Sequence, residues 1–126
     1  MERAKTMEQD LVQRVFQLDA RIRFAGVIDN EGNLVSGGMR PETAPLEPNK
    51  AEENKLYLKW FLMEAMTDEW NKFLGKKILL YSRHEKIDMY GFTLKNSKIL
   101  LVSTEQMKIP SFFGDKILEL VNSHNL

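Results

Sequence analysis

Residues 77–104 are the stretch that most constrains the fold, because they read as three short strands joined by two polar turns. The apolar runs at 78–81 and 99–102 are continuous, which is typical of strands covered on both faces. The middle run, at 87–94, is interrupted by a charged residue and a glycine. The second turn contains asparagine, which suits a hairpin loop. We therefore predict an antiparallel meander whose last strand is central in the sheet.

Three other segments have the apolar spacing of helices. The first, about residues 6–20, is amphipathic and is expected to lay one face on the core. The second covers about residues 51–74. The third follows Pro110, with Ser111 as the predicted N-cap, and continues to about Ser123, beyond which the chain is expected to fray.

A hairpin is predicted between the first two helices, from residues 22–28 and 34–36 around the turn at 29–33. Asparagine and glycine supply the positive φ angles that such a turn requires. The turn is not predicted to bind calcium, because the closing glutamate of an EF-hand loop would fall at Arg40. A proline-rich loop at about residues 37–50 then leads to the second helix, and connections of that length are usually functional or mobile.

Length and composition exclude several classes of protein. A chain of 126 residues is the size of one domain, and 43% hydrophobic with 29% charged residues is ordinary globular composition. The formal net charge is zero, whereas nucleic-acid and anionic-membrane binding usually need an excess of basic residues. No apolar run approaches the ~20 residues of a membrane span, and the N-terminus lacks a secretory apolar core. We expect a single cytoplasmic domain that binds no nucleic acid.

The search for catalytic or metal chemistry is negative. The chain has no cysteine, and His84 and His124 lie in polar segments without the second-histidine spacing of a metal site. Both histidines are expected to be exposed to solvent. Nucleophile-elbow and phosphate-loop motifs do not occur. We therefore predict no catalytic residue, no metal and no cofactor.

The second helix is too apolar to bury a single face. One stripe at helical spacing contains Leu56, Trp60, Met63, Thr67, Trp70 and Leu74. A second apolar sector beside it contains Tyr57, Leu58, Phe61, Leu62, Met66 and Phe73. Since only a narrow charged strip remains, we expect this helix to pack on the sheet and also to meet another surface. Two alternatives stay open: the terminal helices cover the second sector, or the apolar side chains line a ligand pocket.

The order of elements and two segments of the sequence resemble a known family. RFAGVIDNEGNLVSGG, followed by a long helix and then KILLYSRHEKIDMYGFTLKNSKILLVST, is similar to the roadblock type of the profilin-like sandwich. That family contains dynein light chains and small-GTPase regulatory subunits. The likeness covers nearly the whole chain, although the proline-rich loop is longer than a minimal connection. The chain also resembles small archaeal proteins.

The resemblance implies an α+β fold with a five-stranded antiparallel sheet, the second helix on one face and the terminal helices on the other. In roadblock-like proteins the second helix and the next strand form homodimers or heterodimers, and the proteins act mainly as scaffolds. We therefore predict a non-enzymatic regulatory module, paired with itself or a paralogous subunit, that serves as a platform for a small GTPase or another cytoplasmic partner. Its predicted self-interface comprises Tyr57, Trp60, Phe61, Glu64, Trp70 and Ile78.

An alternative function is a small-molecule sensor similar to GAF or PAS domains. Its ligand would lie between the sheet and the Met-Arg-Pro loop. The predicted pocket residues are Met39, Arg40, Met63, Met66, Tyr90 and Phe92.

Overall fold

The computed structural model describes residues 6–44, 46 and 50–126. Its helices are α1 (Met7–Leu18), α2 (Lys50–Thr67), the short α3 (Asn71–Leu74) and α4 (Pro110–Ser123), with a 3₁₀ turn at Asp68–Trp70. Its strands are β1 (Ile22–Ile28), β2 (Leu34–Met39), β3 (Leu80–Arg83), β4 (Asp88–Thr93) and β5 (Ile99–Thr104). The predicted order of helices and strands is confirmed. Within the predicted loop, residues 45 and 47–49 lie outside the described part.

The five strands form one antiparallel sheet in the order β2-β1-β5-β4-β3. Strand β5 occupies the centre, and all six of its residues are buried. The continuous apolar run at 99–102 therefore predicted the central strand correctly, because a strand flanked and covered on both sides has no solvent face to carry polar residues. Strands β2 and β3 form the two edges.

The helices divide between the two faces of the sheet as predicted. One core lies between the sheet and helices α1 and α4; it includes Val15, Val27 and Ile117. The other core lies under α2 and is smaller; it is built around Phe24 and Trp60. Alternating residues of β1 and β5 supply the two cores, which is the two-residue period of a strand.

Helix α2 approaches the sheet where β4 has a glycine. A Cβ atom on Gly91 would lie 2.4 Å from the indole Nε1 of Trp60, so only glycine leaves room for this ring. The predicted interruption of the middle strand is therefore a packing site for α2. Gly32 in the first hairpin has the positive φ that was expected there, and its backbone lies close to Leu58 of α2.

Strand and helix boundaries differ from the predicted ones in four places. The strand predicted at 78–81 is observed at Leu80–Arg83. Its last two residues are polar, which an edge strand tolerates, so the apolar pattern did not include them. Strand β2 continues through the two glycines that were assigned to the loop. Gly37 has φ +85°, and a Cβ atom there would lie 2.2 Å from the carbonyl oxygen of Ala25. The second helix is broken by the 3₁₀ turn at Asp68–Trp70.

The fourth difference is the start of α4. Ser111 lies inside the first turn, and the N-cap is Ile109, which has no capping side chain. Pro110 sets the boundary instead, because its fixed φ suits the first helical position. Helix α1 by contrast has a capping box, in which Thr6 and Gln9 each bond the other's backbone N–H.

The predicted exposure of both histidines holds for one of them. His84 is exposed. His124 is not: its Nε2 lies 2.7 Å from Asp10 Oδ2, and its Nδ1 lies 2.8 Å from the carbonyl oxygen of Leu120. The pairing joins α1 to the end of α4 across 114 residues of sequence, so no local pattern could show it.

Candidate interaction surface around the second helix

The inner face of α2 holds two residues that were predicted to lie at the self-interface. Trp60 and Glu64 are both buried against the sheet of their own chain. Tyr57 and Phe61 lie beside them and are partly buried in the same core. Of the six predicted interface residues, only Trp70 and Ile78 are largely exposed, at 62% and 61%. The structure therefore separates the six residues into an inner and an outer group.

The outer face of α2 and α3 carries a row of apolar side chains that are exposed to solvent. Every fourth residue belongs to it, so each member lies next to the following one and the row winds gradually around the helix. We call this row the outer stripe; its members are Leu58, Leu62, Met66, Trp70 and Leu74. Met63, Phe73 and Ile78 beside it are also exposed. The alternative in which the terminal helices cover this sector does not occur, because α1 and α4 pack on the opposite face of the sheet.

A groove connects the outer stripe to the free edge of the sheet. It is lined by Trp70 and Leu74 from the helical side and by Ile78 and Leu79 from the segment that leads into β3, and its volume is about 720 Å³. Strand β3 pairs only with β4 in the described part of the chain, so its outer edge is free. The apolar surface thus extends from the helix to an unpaired strand.

A partly buried ionic cluster lies beneath the end of α2. The Lys77 ammonium donates to the carbonyl oxygen of Glu64 (2.8 Å), to Thr67 Oγ1 (3.1 Å) and to Asp68 Oδ1 (2.7 Å). The Glu64 carboxylate is 3.7 Å from the ammonium and accepts no hydrogen bond from any described residue. Burial raises the pKa of Glu64 to about 7, and the attraction of Lys77 only partly opposes this effect.

The six residues of the predicted ligand pocket are not brought together. Tyr90 and Phe92 lie in the core under α1 and α4, whereas Met39 packs in the core on the other face. Met63 and Met66 are exposed on α2. No observation therefore favours the sensor function over the interaction module.

Arg40, the remaining member of that set, has a structural role. Its guanidinium donates to the carbonyl oxygens of Phe16 (2.8 Å), Asp19 (2.8 Å) and Ile22 (2.7 Å), and it lies over the Phe16 ring. These carbonyls belong to the end of α1 and the start of β1, so Arg40 holds the connection between them. Its donors face the backbone of its own chain rather than a ligand.

The predicted interface contains only one of the five members of the outer stripe, Trp70. The signal was present, because the spacing of four from Leu58 to Leu74 is visible in the sequence. The predicted set favours aromatic residues instead. The sequence alone does not show which sector of the helix faces the sheet. Trp60 fixes that choice by packing against Gly91.

Two features are absent from the described residues: a metal-binding cluster and a membrane-spanning helix. They contain no group of three or more histidine, aspartate or glutamate side chains placed to hold a metal ion. They also contain no helix that is long and apolar enough to cross a membrane.

Comparison with solved structures finds the same architecture in other proteins. The MglB gliding protein of Thermus thermophilus superposes with a TM-score of 0.70 at 12% identity, over 98% of this chain and 93% of that one. A Roadblock/LC7 domain from Streptomyces avermitilis superposes with a TM-score of 0.67 at 13% identity, over 91% and 92% of the two chains. The chain has the roadblock fold. The expected resemblance to archaeal proteins finds no support, since both organisms are bacteria.

A third structure with the roadblock fold bears on assembly. It is an MglB with a tetrameric arrangement, and it superposes with a TM-score of 0.66 at 11% identity over 97% of this chain and 95% of that one. No protein-family model and no curated protein matches the sequence significantly. The likeness to these structures is therefore one of fold.

Proposed function

We propose that this roadblock-fold chain is a non-enzymatic regulatory module that associates with a second copy, or with a paralogous subunit, through the outer stripe and the groove beside β3. The module serves as a platform for a small GTPase or another cytoplasmic partner. Its self-interface includes Trp70 and Ile78 from the predicted set and adds Leu62, Met66 and Leu74.

The observation that carries this proposal is the exposure of the outer stripe. Large apolar patches rimmed by polar residues usually mark interaction sites, whereas single exposed apolar residues are normal. Five apolar side chains in one row, next to an unpaired strand edge, are more than scattered exposure. Zero net charge also leaves little electrostatic repulsion between copies.

The comparisons support the proposal in a general way. An MglB chain with the same fold occurs in a tetrameric arrangement, so the fold is compatible with self-association. The resemblance in the sequence implies regulation of small GTPases and a scaffold role without catalysis. A cytoplasmic location stays part of the proposal.

Replacing Trp70 with glutamate should weaken self-association at least about 30-fold, because a tryptophan at the centre of an interface often contributes 2 kcal/mol or more. An unpaired charge would then have to be buried in an apolar contact. The monomer should stay folded, since Trp70 is exposed. Sedimentation equilibrium of wild type and Trp70→Glu over a range of concentrations measures the dissociation constants.

Phe112→Glu is the matched control. Phe112 is an equally exposed aromatic residue, but it lies on α4, which packs on the opposite face of the sheet. We expect Phe112→Glu to self-associate like wild type. The proposed interface is wrong if wild type is monomeric at all concentrations or if the two variants weaken association equally.

The platform part of the proposal is tested with small GTPases from the same organism, loaded with GDP or with a non-hydrolysable GTP analogue. One GTPase is expected to bind at least about tenfold more tightly in one nucleotide state, a difference of about 1.4 kcal/mol. Biolayer interferometry measures both states. Absence of binding by every GTPase would remove this part and leave self-association to stand on its own test.

A further inference from the structure

We propose that the start of α4 forms a second interaction surface, which binds an acidic segment of another protein that also carries a large apolar side chain. The surface is a hollow with an apolar floor and a cationic rim, and we call it the α4 hollow. It lies on the side of the sheet that α1 and α4 cover, away from the outer stripe. It is therefore separate from the proposed self-interface.

The α4 hollow has room for an apolar side chain of a partner. Its volume is about 300 Å³, and it lies between the first turn of α4 and the connection from α1 to β1. Met107 and Phe113 are buried and form its floor. Ile109 and Phe112 form its walls and are 63% and 60% exposed. Two large apolar side chains that stand in solvent beside a concave apolar floor are typical of a contact site for another protein.

The rim of the α4 hollow is cationic. Its lining contains three cations, Arg21, Lys108 and Lys116, and one carboxylate, Asp19, which leaves an excess of two positive charges. Arg21 and Asp19 pair with each other through hydrogen bonds of 3.0 and 2.8 Å. The Lys116 ammonium lies over the Phe112 ring, 4.6 Å from its centre. Neither lysine forms an ion pair within the described part of the chain, so two cations remain beside the exposed apolar walls.

The start of α4 has the reverse of the usual charge pattern. Helix N-termini are the positive ends of the helix dipole, and acidic residues there are stabilising. The first turn of α4 has no acidic residue, its N-cap Ile109 has no capping side chain, and Lys108 precedes it. Asp115, one turn further along, lines the groove beside β3 instead. A departure from a local rule that the chain itself does not offset is expected at functional sites, and here a partner carboxylate would offset it.

The shape of the surface favours a protein segment over a membrane. The α4 hollow is concave, whereas a helix that lies on a bilayer presents a continuous apolar face. Recognition of anionic lipids also usually takes clusters of about four to eight basic residues, more than the hollow provides. A segment that places one apolar side chain on the floor and carboxylates at the rim complements both parts of the surface.

The probe is the peptide acetyl-DDEFLEDD-amide, added to the full 126-residue chain at constant ionic strength. Amide signals of Arg21, Lys108 and Phe113 in ¹H–¹⁵N NMR spectra should move saturably. We expect a dissociation constant on the order of 0.1 mM, because a short flexible peptide loses much freedom on binding. The peptide acetyl-KKKFLKKK-amide reverses the charge, and acetyl-DDESSEDD-amide lacks the apolar pair. Each of these two should bind at least about tenfold more weakly.

Three variants test the walls and the rim. Phe112→Glu removes an apolar wall and adds a negative charge, so it should weaken binding of the acidic peptide at least about tenfold. Lys116→Gln removes one rim charge and should weaken it at least about threefold. Lys72→Gln is the matched control and should bind like wild type, because Lys72 lies over the Phe73 ring in the same way, at 5.2 Å, but on α3. Circular dichroism checks that the variants fold.

The same samples separate this proposal from the proposed self-association. Trp70→Glu should bind the acidic peptide like wild type, and a monomeric wild type that binds it would refute only the self-association. The proposal is overturned if the amide shifts do not saturate, if the three peptides bind alike or if Lys116→Gln binds like Lys72→Gln. Weaker self-association of Phe112→Glu would make the occupant a second copy and would also overturn it. So would binding to vesicles of equal parts phosphatidylserine and phosphatidylcholine without binding of the peptide.

Discussion

Asp88→Asn should lower the free energy of unfolding by about 2–4 kcal/mol, the cost of breaking a buried charged network. Asp88 is 0% exposed and accepts from Arg83 Nε (2.8 Å), from Arg83 Nη2 (2.9 Å) and from the backbone N–H of Met107 (3.0 Å). These bonds tie the β3–β4 hairpin to the loop before α4. Asparagine has one acceptor where the carboxylate has two, so its NH₂ group would face one of these donors. Urea denaturation at pH 7 measures the loss.

The pH dependence of this effect follows from the same contacts. Burial alone would raise the pKa of Asp88, but the Arg83 and Met107 hydrogen bonds outweigh it and hold the pKa below its usual value. A carboxyl with a lowered pKa stabilises the fold above its unfolded pKa of about 4, and this contribution is lost as the pH falls through the folded pKa. The difference between wild type and Asp88→Asn should therefore shrink below about pH 4.

Asp19→Asn is the matched control, because Asp19 also makes a two-bond pair with an arginine, Arg21, at 3.0 and 2.8 Å. The Asp19 side chain is 25% exposed and the Arg21 side chain 50%. Exposed pairs of this kind contribute less than about 1 kcal/mol, since water and salt screen them. Equal losses in the two variants at pH 7 would show that burial of Asp88 is not the cause.

Much of the fold could be predicted from the sequence because it depends on local patterns of apolar and turn-forming residues. The apolar run of β5 identified the central strand, and the turn at 29–33 identified the first hairpin. The pattern failed where an edge strand tolerates polar residues, as at Ser82 and Arg83 in β3, and where Gly37 and Gly38 belong to a strand rather than a loop. Such positions are decided by neighbouring strands, which a local window does not contain.

The candidate site was less predictable, because it depends on contacts between distant parts of the chain. The apolar width of α2 corresponds to an inner face packed on the sheet and an exposed outer face, and Trp60 and Glu64 belong to the inner one. Lys77 reaches Glu64 across 13 residues and the 3₁₀ turn, and Arg40 reaches Phe16 across 24. A charged residue in an apolar stripe is equally compatible with an interface rim and with a buried ion pair. Only the packed structure distinguishes the two.

Glu64→Gln should stabilise the protein at pH 8 by up to about 3 kcal/mol and change its stability little at pH 5. The pKa of Glu64 is raised from 4.5 to about 7, and each pKa unit corresponds to about 1.4 kcal/mol. Between the unfolded pKa of 4.5 and the folded pKa of about 7, the folded state holds a proton that the unfolded state has released. The stability of wild type therefore falls as the pH rises through this range. Glutamine is neutral at every pH and avoids this penalty. Asp68 and Lys77, the charged groups that face Glu64, are the same in both proteins.

Urea denaturation of wild type and Glu64→Gln from pH 5 to pH 8 measures this difference. Titrating groups that the substitution does not touch contribute equally to both proteins and cancel. Glu69→Gln should follow wild type at every pH, because Glu69 is exposed. If Glu64→Gln is instead less stable than wild type at pH 8, the ionised Glu64–Lys77 pair stabilises the fold on balance.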